Sequence, residues 1–280
     1  MAAGKLFIIG TPIGNLSDLS PRAAEALRAC DRILCEDTRR TQKLLNHIAL
    51  KKPLISFHDH NETEKTPEVL EQLRAGATIG LVSDAGMPLI SDPGFILVRE
   101  VRKEGIAVEP IPGPFAGALA LAVSGIAPHP FAFFGFSPHK QSQRLDFYRT
   151  LAEHSMTSIV YESPNRINES LADALEILGD VEMTLAREMT KLHEEFIHGT
   201  IDSVKKSIAE RELAGEITLV FAASAPAVRD ELNAGDIRKS FDALRESGMR
   251  RNDALKLIAE KYGLGKNALY KMLMDGGGGR

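Results

Sequence analysis

The chain has 280 residues, of which 44% are hydrophobic and 26% charged, and its formal net charge is −4. This composition is ordinary for a folded globular protein, and the length is sufficient for two domains with separate cores. The longest apolar runs fall well short of the roughly 20 residues that cross a bilayer, and no basic segment followed by an apolar stretch begins the chain. We therefore expect a cytoplasmic protein with no membrane partner, in which Cys30 and Cys35 are reduced, buried thiols.

Apolar and polar segments alternate through the first 114 residues. Five apolar segments predict strands, at 5–10, 32–36, 53–57, 78–83 and 106–111. Between them, helices are predicted at 21–30, 38–45 and 67–75, and the pairs Ser20-Pro21 and Thr66-Pro67 suit an N-cap and first turn. This βαβα order predicts a mostly parallel sheet with right-handed crossovers.

Pro112-Gly113-Pro114 interrupts the alternation and predicts a domain boundary. Beyond it, helices are expected at 115–124, 142–153, 165–178 and 202–212, and strands at 131–136, 158–161, 181–187 and 217–222. These elements predict a second α/β sheet, parallel or mixed. The predicted organisation is an N-terminal α/β domain (1–114), a C-terminal α/β domain (115–223), a linker (224–235), a basic helical module (236–275) and a flexible tail (276–280).

The C-terminal segment differs in charge from the rest of the chain. Three short helices are predicted there, at 236–246, 252–262 and 266–274. Residues 236–280 hold ten Lys or Arg and six Asp or Glu, a net charge of +4, whereas the preceding 235 residues have a net charge of −8. A basic appendage on an acidic body is typical of contact with a polyanion, although many solvated helices are also mildly basic.

Polar segments follow the predicted strands of both sheets, where open α/β folds bind ligands. The segments are Gly10–Asn15, Glu36–Arg40, Ser83–Gly94, Tyr161–Arg166, Arg187–Lys191 and Gly215–Glu216. The first lacks the Gly-Lys-Ser/Thr of a P-loop and the second glycine of a dinucleotide fingerprint. It is therefore either a tight turn or a loop against a ligand that has no phosphate to cradle. A carboxylate such as Asp84 at this edge suits an amino group or a cationic centre.

Two of these polar segments, and a further polar segment at His58, have simpler interpretations as well. Arg39 and Arg40 are compatible with phosphate binding or with a solvated helix face. The segment His58-Asp59-His60 is compatible with a substrate-facing loop, a plain surface loop or a metal site, but no third ligand follows at a recognisable spacing. Asp84 and its neighbours also fit turn chemistry alone. Six polar strand ends in two sheets nevertheless indicate one shared cleft.

Together with His58–Glu62, Pro112–Pro114 and Gly215–Thr218, these segments resemble the tetrapyrrole methylase superfamily, and within it the branch that methylates the 2′-oxygen of a ribose in ribosomal RNA. They occur in the family's order over nearly all of residues 4–222. The string Ser83–Gly94 is highly specific, whereas the Gly-x-Pro turn is not. Residues 248–272 are similar to the helix-turn-helix-like tail of this branch. Phe115 departs from the pattern, because relatives often carry a small residue there.

The resemblance implies an α/β fold of two αβα domains, with S-adenosylmethionine in the cleft between them and a small C-terminal helical module. It also implies a homodimer that needs no metal. The expected substrate is a cytidine in the decoding region of 16S rRNA, either free or within the small ribosomal subunit. Two other classes of protein fit the sequence less well. A methylase of a tetrapyrrole precursor would leave the basic tail without a role, and a nucleotide-binding module would need phosphate-cradling glycines.

The resemblance also implies a set of functional residues. The cofactor residues are Gly10, Thr11, Pro12, Ile13, Asp84, Ala85, Gly86, Ser91, Phe115, Ala116, Tyr161, Glu162, Glu216, Ile217 and Thr218. The other functional residues are predicted from their chemistry and charge. Glu162, Asp37 and His58 are the candidates for a base, and Glu162 or Asp37 is expected to accept or orient the proton of the ribose hydroxyl. The residues expected to contact RNA are Arg39, Arg40, His58 and Arg166 near the cleft, and Arg250, Arg251, Lys256 and Lys266 on the tail.

Overall fold

The structure is a computed structural model that describes residues 4–223, 234–262 and 269. The chain divides into two compact units, Met1–Ser224 and Ala225–Arg280. The larger unit contains two five-stranded sheets, whose strands come from either side of Pro112–Pro114. The division of this unit into domains at 114 stays a prediction.

The first sheet is parallel throughout, in the order β3-β2-β4-β1-β5. Its strands are β1 (Lys5–Ile9), β2 (Arg32–Cys35), β3 (Leu54–Ser56), β4 (Thr78–Leu81) and β5 (Ala107–Ile111). They lie within the five predicted segments. The central strands β1, β2 and β4 are largely buried, as continuous apolar runs predict, whereas the edge strands β3 and β5 are only half-buried. The predicted parallel sheet is confirmed.

Helices cover both faces of this sheet. They are α1 (Pro21–Ala29), α2 (Thr38–His47), α3 (Glu62–Arg74) and α4 (Phe95–Lys103). In β1, Phe7 and Ile9 face α1 and α2, whereas Leu6 and Ile8 face α3 and α4. Cys30 and Cys35 are free thiols buried in the first of these layers.

Two helices of this half differ from the sequence prediction. Helix α3 begins at Glu62 rather than at 67, so Pro67 lies inside the helix. The Thr66 hydroxyl donates to the Glu62 carbonyl within the helix (2.7 Å) instead of capping its start. The Glu62 carboxylate accepts a hydrogen bond from the backbone N–H of Leu97 in α4 (3.0 Å). Helix α4 is not among the predicted helices. It begins directly after Gly94, whose φ is 129°.

The second sheet is mixed, in the order β6-β7-β10-β8-β9. Its strands are β6 (Phe131–Phe136), β7 (Thr157–Glu162), β8 (Glu182–Arg187), β9 (Glu195–Thr200) and β10 (Ile217–Phe221). β6 pairs with β7 in parallel, and β10 lies antiparallel between β7 and β8. Strand β9 was not predicted, because this edge strand is only half-buried and lacks a continuous apolar run.

Four helices pack on the second sheet: α5 (Ala116–Ser124), α6 (Gln141–Glu153), α7 (Ile167–Leu178) and α8 (Ile201–Ile208). In β10, Leu219 and Phe221 face α6, α7 and α8, whereas Val220 faces α5. Between α6 and α7, the buried Arg144 guanidinium pairs with Asp173 (2.7 Å). The arrangement is a second αβα sandwich, as predicted.

The smaller unit contains α9 (Ala234–Glu246) and α10 (Arg251–Tyr262). Ile237, Leu255, Ile258 and Leu269 form its apolar core. Both helices match their predicted positions closely. Of the third predicted helix, 266–274, only Leu269 is described, and most of the linker 224–235 and the tail 276–280 lie outside the described residues. No helix in the described part of the chain has the length and apolarity needed to cross a membrane.

Candidate active site

A cleft of about 410 Å³ in the larger unit is lined by loops from both sheets. The carboxyl ends of β2 and β4 supply Glu36 and Asp84, and the end of β7 supplies Tyr161. Strand β10 runs antiparallel to β7 with Thr218 opposite Tyr161, so the start of β10 lies at the same edge as the end of β7. The volume lies within the range of ~300–1,000 Å³ that is typical of small-molecule sites.

Most of the predicted cofactor residues line this cleft. They are Ile13, Asp84, Ala85, Gly86, Ser91, Phe115, Ala116, Tyr161, Glu162, Glu216, Ile217 and Thr218. Arg40, which was predicted to contact RNA, also lines it. Sequence reasoning did not select Glu36, Met87, Ile90, Asp92, Pro114, Phe136, Ser163, Pro164, Met189 and Gly215, which complete the lining. Nearly all of these lie within or beside the polar segments already recognised, and this proximity is the signal that could have found them.

Gly10, Thr11 and Pro12 are not among the residues that line the cleft, and their role in cofactor binding stays a prediction. The backbone of Thr11 exchanges two hydrogen bonds with Gly86 (2.9 and 3.0 Å), and its hydroxyl donates to the Ser83 carbonyl (3.2 Å). A Cβ atom on Gly10 would lie only 2.5 Å from the Cα of Gly113. The turn after β1 therefore stabilises the loop after β4 through backbone and hydroxyl hydrogen bonds.

The loop after β4 has an irregular backbone. Leu89 and Ser91 have φ values of 71° and 69°, a conformation that costs an L-residue roughly 1–2 kcal/mol. Ser91 borders β6 of the second sheet, since a Cβ on Gly135 would lie 3.3 Å from the Ser91 Oγ. Contacts with both sheets therefore hold this loop in its unfavourable backbone conformation.

Asp84 connects two of the strand ends. Its Oδ1 accepts a hydrogen bond from the backbone N–H of Asp37 (3.0 Å), and its Oδ2 lies 3.5 Å from Nη1 of Arg40. Both partners follow β2, the strand next to β4 in the sheet. The carboxylate therefore stabilises the cleft wall while one side of it faces the cavity.

Two further carboxyl groups line the cleft close to Asp84. Burial, together with the charges of Asp92, Asp84 and Asp59, raises the pKa of Glu36 to about 7. Burial also raises the pKa of Asp92 to about 6, although a hydrogen bond from Ser83 opposes that shift. The negative charge of these neighbouring carboxyl groups favours a cationic ligand. Among the described residues, no group of three or more side chains has the arrangement of a metal site.

Glu162 lies at the cleft, but its side chain is 0% exposed. One carboxylate oxygen pairs with Nη2 of Arg166 (2.8 Å) and accepts the backbone N–H of Ser163 (2.7 Å). The other oxygen accepts the Ser137 hydroxyl. Arg166 also contacts the Ser137 carbonyl and the ring of His139, so its guanidinium is engaged by groups of the protein itself.

The remaining site residues predicted in the first half of the chain lie around α2 and α3. Asp37 caps α2 and binds the guanidinium of the exposed Arg39 through both oxygens (3.1 and 2.7 Å), which holds the pKa of Asp37 far below its usual range. His58 does not line the cleft. Its Nε2 lies 3.1 Å from Asn61, and its Nδ1 is buried without a partner among the described residues.

An aromatic cluster forms the second-sheet side of the cleft. The ring of Phe115 packs edge-on against Phe133, with 5.1 Å between the ring centroids. Phe133 in turn packs against Tyr161, with 4.8 Å between the centroids. Phe136 contacts Tyr161 (5.3 Å) and is exposed at the cleft. The ring of Phe115 is accommodated by these aromatic contacts and by Gly117, where a Cβ would lie 2.7 Å from the Phe115 Cζ.

The basic residues predicted on the tail belong to the smaller unit. Arg250, Arg251 and Lys256 are exposed at the start and on the outer face of α10. Lys266 lies outside the described residues.

A profile described as Tetrapyrrole (Corrin/Porphyrin) Methylases matches residues 5–205. Among curated proteins, one named Ribosomal RNA small subunit methyltransferase I from Synechocystis is 41% identical over 273 residues, 97% of this chain and 98% of the relative. A protein of the same name from Haemophilus influenzae is 42% identical over 271 residues, covering 96% and 95%. A third, from Thermotoga maritima, is 47% identical over 219 residues, which are 78% of this chain but 98% of the relative.

Solved structures share the fold at lower identity. A uroporphyrin-III-C-methyltransferase from Thermus thermophilus has a TM-score of 0.56 and 18% identity, covering 82% of this chain and 98% of that one. A cobalt precorrin-4 methyltransferase has a TM-score of 0.57 and 19% identity, covering 79% and 96%. These two similarities concern the fold alone.

Proposed function

Because the chain belongs to the tetrapyrrole methylase family, we propose that it transfers a methyl group from S-adenosylmethionine to the 2′-hydroxyl of a cytidine in the decoding region of 16S rRNA. The observation that carries this proposal is the cleft that the polar ends of both sheets share. The relatives named for small-subunit rRNA methylation, about 40% identical over nearly the whole chain, support the RNA substrate. A ribosomal substrate also agrees with the cytoplasmic location expected from the sequence.

The residues of the cleft fit the proposed methyl donor. Bound S-adenosylmethionine would supply a methyl group on a positively charged sulfur. Asp84 and Asp92 place carboxyl groups at one side of the cleft, which suits a ligand with cationic centres. Apolar side chains such as Ile13 and Met189 line the cavity elsewhere, and they would exclude water from the reacting atoms. Gly10, Thr11 and Pro12 support this pocket through the contacts of Thr11 with Gly86.

Methyl transfer of this kind depends mainly on alignment of the hydroxyl with the methyl group. Glu162 and Asp37 stay the residues predicted from the sequence to accept or orient the hydroxyl proton. Both oxygens of each carboxylate already hold protein partners. Their contacts therefore favour orientation over proton transfer. Glu162 would act by holding Ser137 and Arg166 at the end of β7.

RNA binding is proposed for two sets of basic residues. Arg39 and Arg40 lie beside or on the cleft, where they would meet the phosphates that flank the target ribose. Arg250, Arg251, Lys256 and Lys266 would add phosphate contacts from the smaller unit. The proposed role of His58 remains a prediction. Arg166 is the weakest of the predicted contacts, since its guanidinium is occupied by Glu162.

A homodimer is proposed through the exposed apolar side of α5. Leu119 and Val123 on this helix are exposed, as is Phe131 at the start of the edge strand β6. A second copy of the chain would cover this surface. Val123→Glu is expected to convert the dimer to a monomer in light scattering, whereas Thr63→Glu on α3 adds the same charge elsewhere and should leave the dimer intact. A wild-type monomer would overturn the proposal.

The function is tested with labelled S-adenosylmethionine and three acceptors: small ribosomal subunits, free 16S rRNA and a tetrapyrrole precursor. We expect methyl transfer to one of the two RNA acceptors, and digestion to nucleosides followed by mass spectrometry should place the methyl on a cytidine ribose. Asp84→Asn should weaken donor binding in calorimetry, because it removes a charge that faces the cleft. Transfer to the tetrapyrrole alone, or to a base rather than a ribose, would contradict the proposal.

A further inference from the structure

Glu36 lies at the edge of the first sheet where the cleft opens. It directly follows β2, whose carboxyl end opens into the cleft, and its side chain lines the cavity while being half-buried. Within the part of the chain that the structure describes, its carboxyl group accepts no hydrogen bond and forms no ion pair. It is therefore a carboxyl group directed to the site that no protein donor occupies.

The other carboxyl groups at the cleft are engaged. Asp84 accepts the N–H of Asp37 and neighbours Arg40. The Ser83 hydroxyl interacts with Asp92 and opposes the rise in its pKa, and Glu162 is enclosed by three donors. A group that must take up a proton during a reaction needs an oxygen that is free to approach the substrate. Glu36 meets this requirement better than its neighbours.

We propose that Glu36 is the catalytic base that takes the proton from the ribose 2′-hydroxyl; this inference rests on the proposed function. In the transfer step, the hydroxyl oxygen forms a bond to the methyl carbon as the carbon–sulfur bond breaks and leaves its electron pair on sulfur. The hydroxyl proton moves to an Oε atom of Glu36. The residue ends the step as a neutral carboxylic acid and returns its proton to solvent after product release.

The electrostatic surroundings of Glu36 suit this role. Asp92, Asp84 and Asp59 face it and disfavour its charged form, whereas Arg40 partly offsets them. With burial, they raise its pKa to about 7, which is close to the pH at which a base is most effective. At lower pH the group carries a proton already and cannot accept another, so the rate should fall about tenfold per pH unit below pH 7.

The test is a set of single-turnover pH–rate profiles with the intact protein, its RNA acceptor and saturating S-adenosylmethionine. The nearly isosteric Glu36→Gln should lower the rate at pH 8 by roughly 10²–10⁴-fold and abolish the fall below pH 7. Donor binding measured by calorimetry shows that the variant is folded. Glu25→Gln, on the exposed side of α1, is the matched control and should retain the wild-type profile.

A second variant keeps Glu36 and changes its environment. Asp59 does not line the cleft, but its charge raises the pKa of Glu36. Asp59→Asn should therefore shift the fall in rate to lower pH. An unchanged profile in Glu36→Gln, or a fall that vanishes in Asp92→Asn but persists in Glu36→Gln, would overturn the assignment while methylation by the wild type still stood. A wild type that methylates no RNA would overturn the proposed function as well.

Discussion

A carboxyl group whose charged form is disfavoured by its surroundings reduces the stability of the folded protein when it ionises. The pKa of Glu36 is about 7 in the folded chain, against an ordinary value of 4.5. Above pH 7 the charged carboxylate is less stable in the folded state than in the unfolded one. Below pH 4.5 both states carry the proton, and the difference disappears.

Glu36→Gln should therefore stabilise the protein at pH 8 and leave its stability unchanged near pH 4. We expect a gain of about 1–2 kcal/mol at pH 8, because exposure of part of the side chain to solvent reduces the full effect of the shift. Urea denaturation at the two pH values measures it. Equal stability of the variant and the wild type at pH 8 would contradict the raised pKa.

Glu162 presents the opposite case, a buried carboxylate with all of its partners in place. Glu162→Gln would leave Arg166, whose side chain is only 15% exposed, without its counter-charge. We expect the free energy of unfolding to fall by about 3 kcal/mol. Glu169→Gln is the control: this side chain pairs with the buried Arg144 but is 72% exposed, and it should cost less than about 1 kcal/mol. Similar losses in both variants would show that burial does not determine the effect.

At the level of secondary structure, the close approach of two turns sets the floor of the cleft. Gly10 follows β1 and Gly113 follows β5, and β1 and β5 are neighbours in the sheet. The backbones lie so near that a Cβ on either glycine would come within 2.6 Å of the other residue. Such a contact forces the two turns apart and displaces the loop at Gly86 that Thr11 holds.

Gly10→Ala should therefore lower both stability and donor affinity. The expected loss is about 2–3 kcal/mol in the free energy of unfolding, as for other overpacked sites. Gly105→Ala provides the comparison: its φ is 69°, but a Cβ there meets nothing within 4 Å, so only backbone strain of about 1 kcal/mol is expected. Wild-type donor affinity in Gly10→Ala, measured by calorimetry, would show that the turn does not support the site.

The sequence predicted those elements whose own residues determine them. The central strands β1, β2 and β4 of the first sheet are largely buried, and their apolar runs predicted them. Pro67 misled the prediction of α3, because the contact between Glu62 and Leu97 stabilises a longer helix that no local pattern reveals. Strand β9 follows β8 in the chain and pairs with it, but it is half-buried and partly polar, so no continuous apolar run marks it.

The candidate site was predictable in outline for the same reason. Strand ends can be recognised in sequence, so Asp84 and Tyr161 were correctly expected to share a cleft. Whether a side chain is free or engaged depends on contacts between segments far apart in the chain. Glu36 was passed over and Glu162 preferred because the partners Ser137 and Arg166 come into place only in the folded protein.

At the scale of the whole molecule, the two units are unequal in what they provide. The larger unit holds both sheets and the cleft, and the smaller one has its own apolar core and exposed basic residues. The Thermotoga maritima relative is matched over 98% of its length by only 219 residues of this chain. That relative therefore has about the length of the larger unit alone.

Removal of residues 225–280 should for these reasons leave the methyl donor's affinity unchanged and reduce affinity for RNA. Each lost phosphate contact lowers the slope of log K against log salt by about 0.7–0.9, so the truncated chain should bind 16S rRNA with a shallower salt dependence. Arg250→Gln with Lys256→Gln in the full-length chain should move the slope in the same direction by a smaller amount. Binding is measured by filter retention between low and moderate salt, with donor calorimetry as the folding control. Identical slopes for the full-length and truncated chains would assign RNA binding to the larger unit, where Arg39 and Arg40 lie.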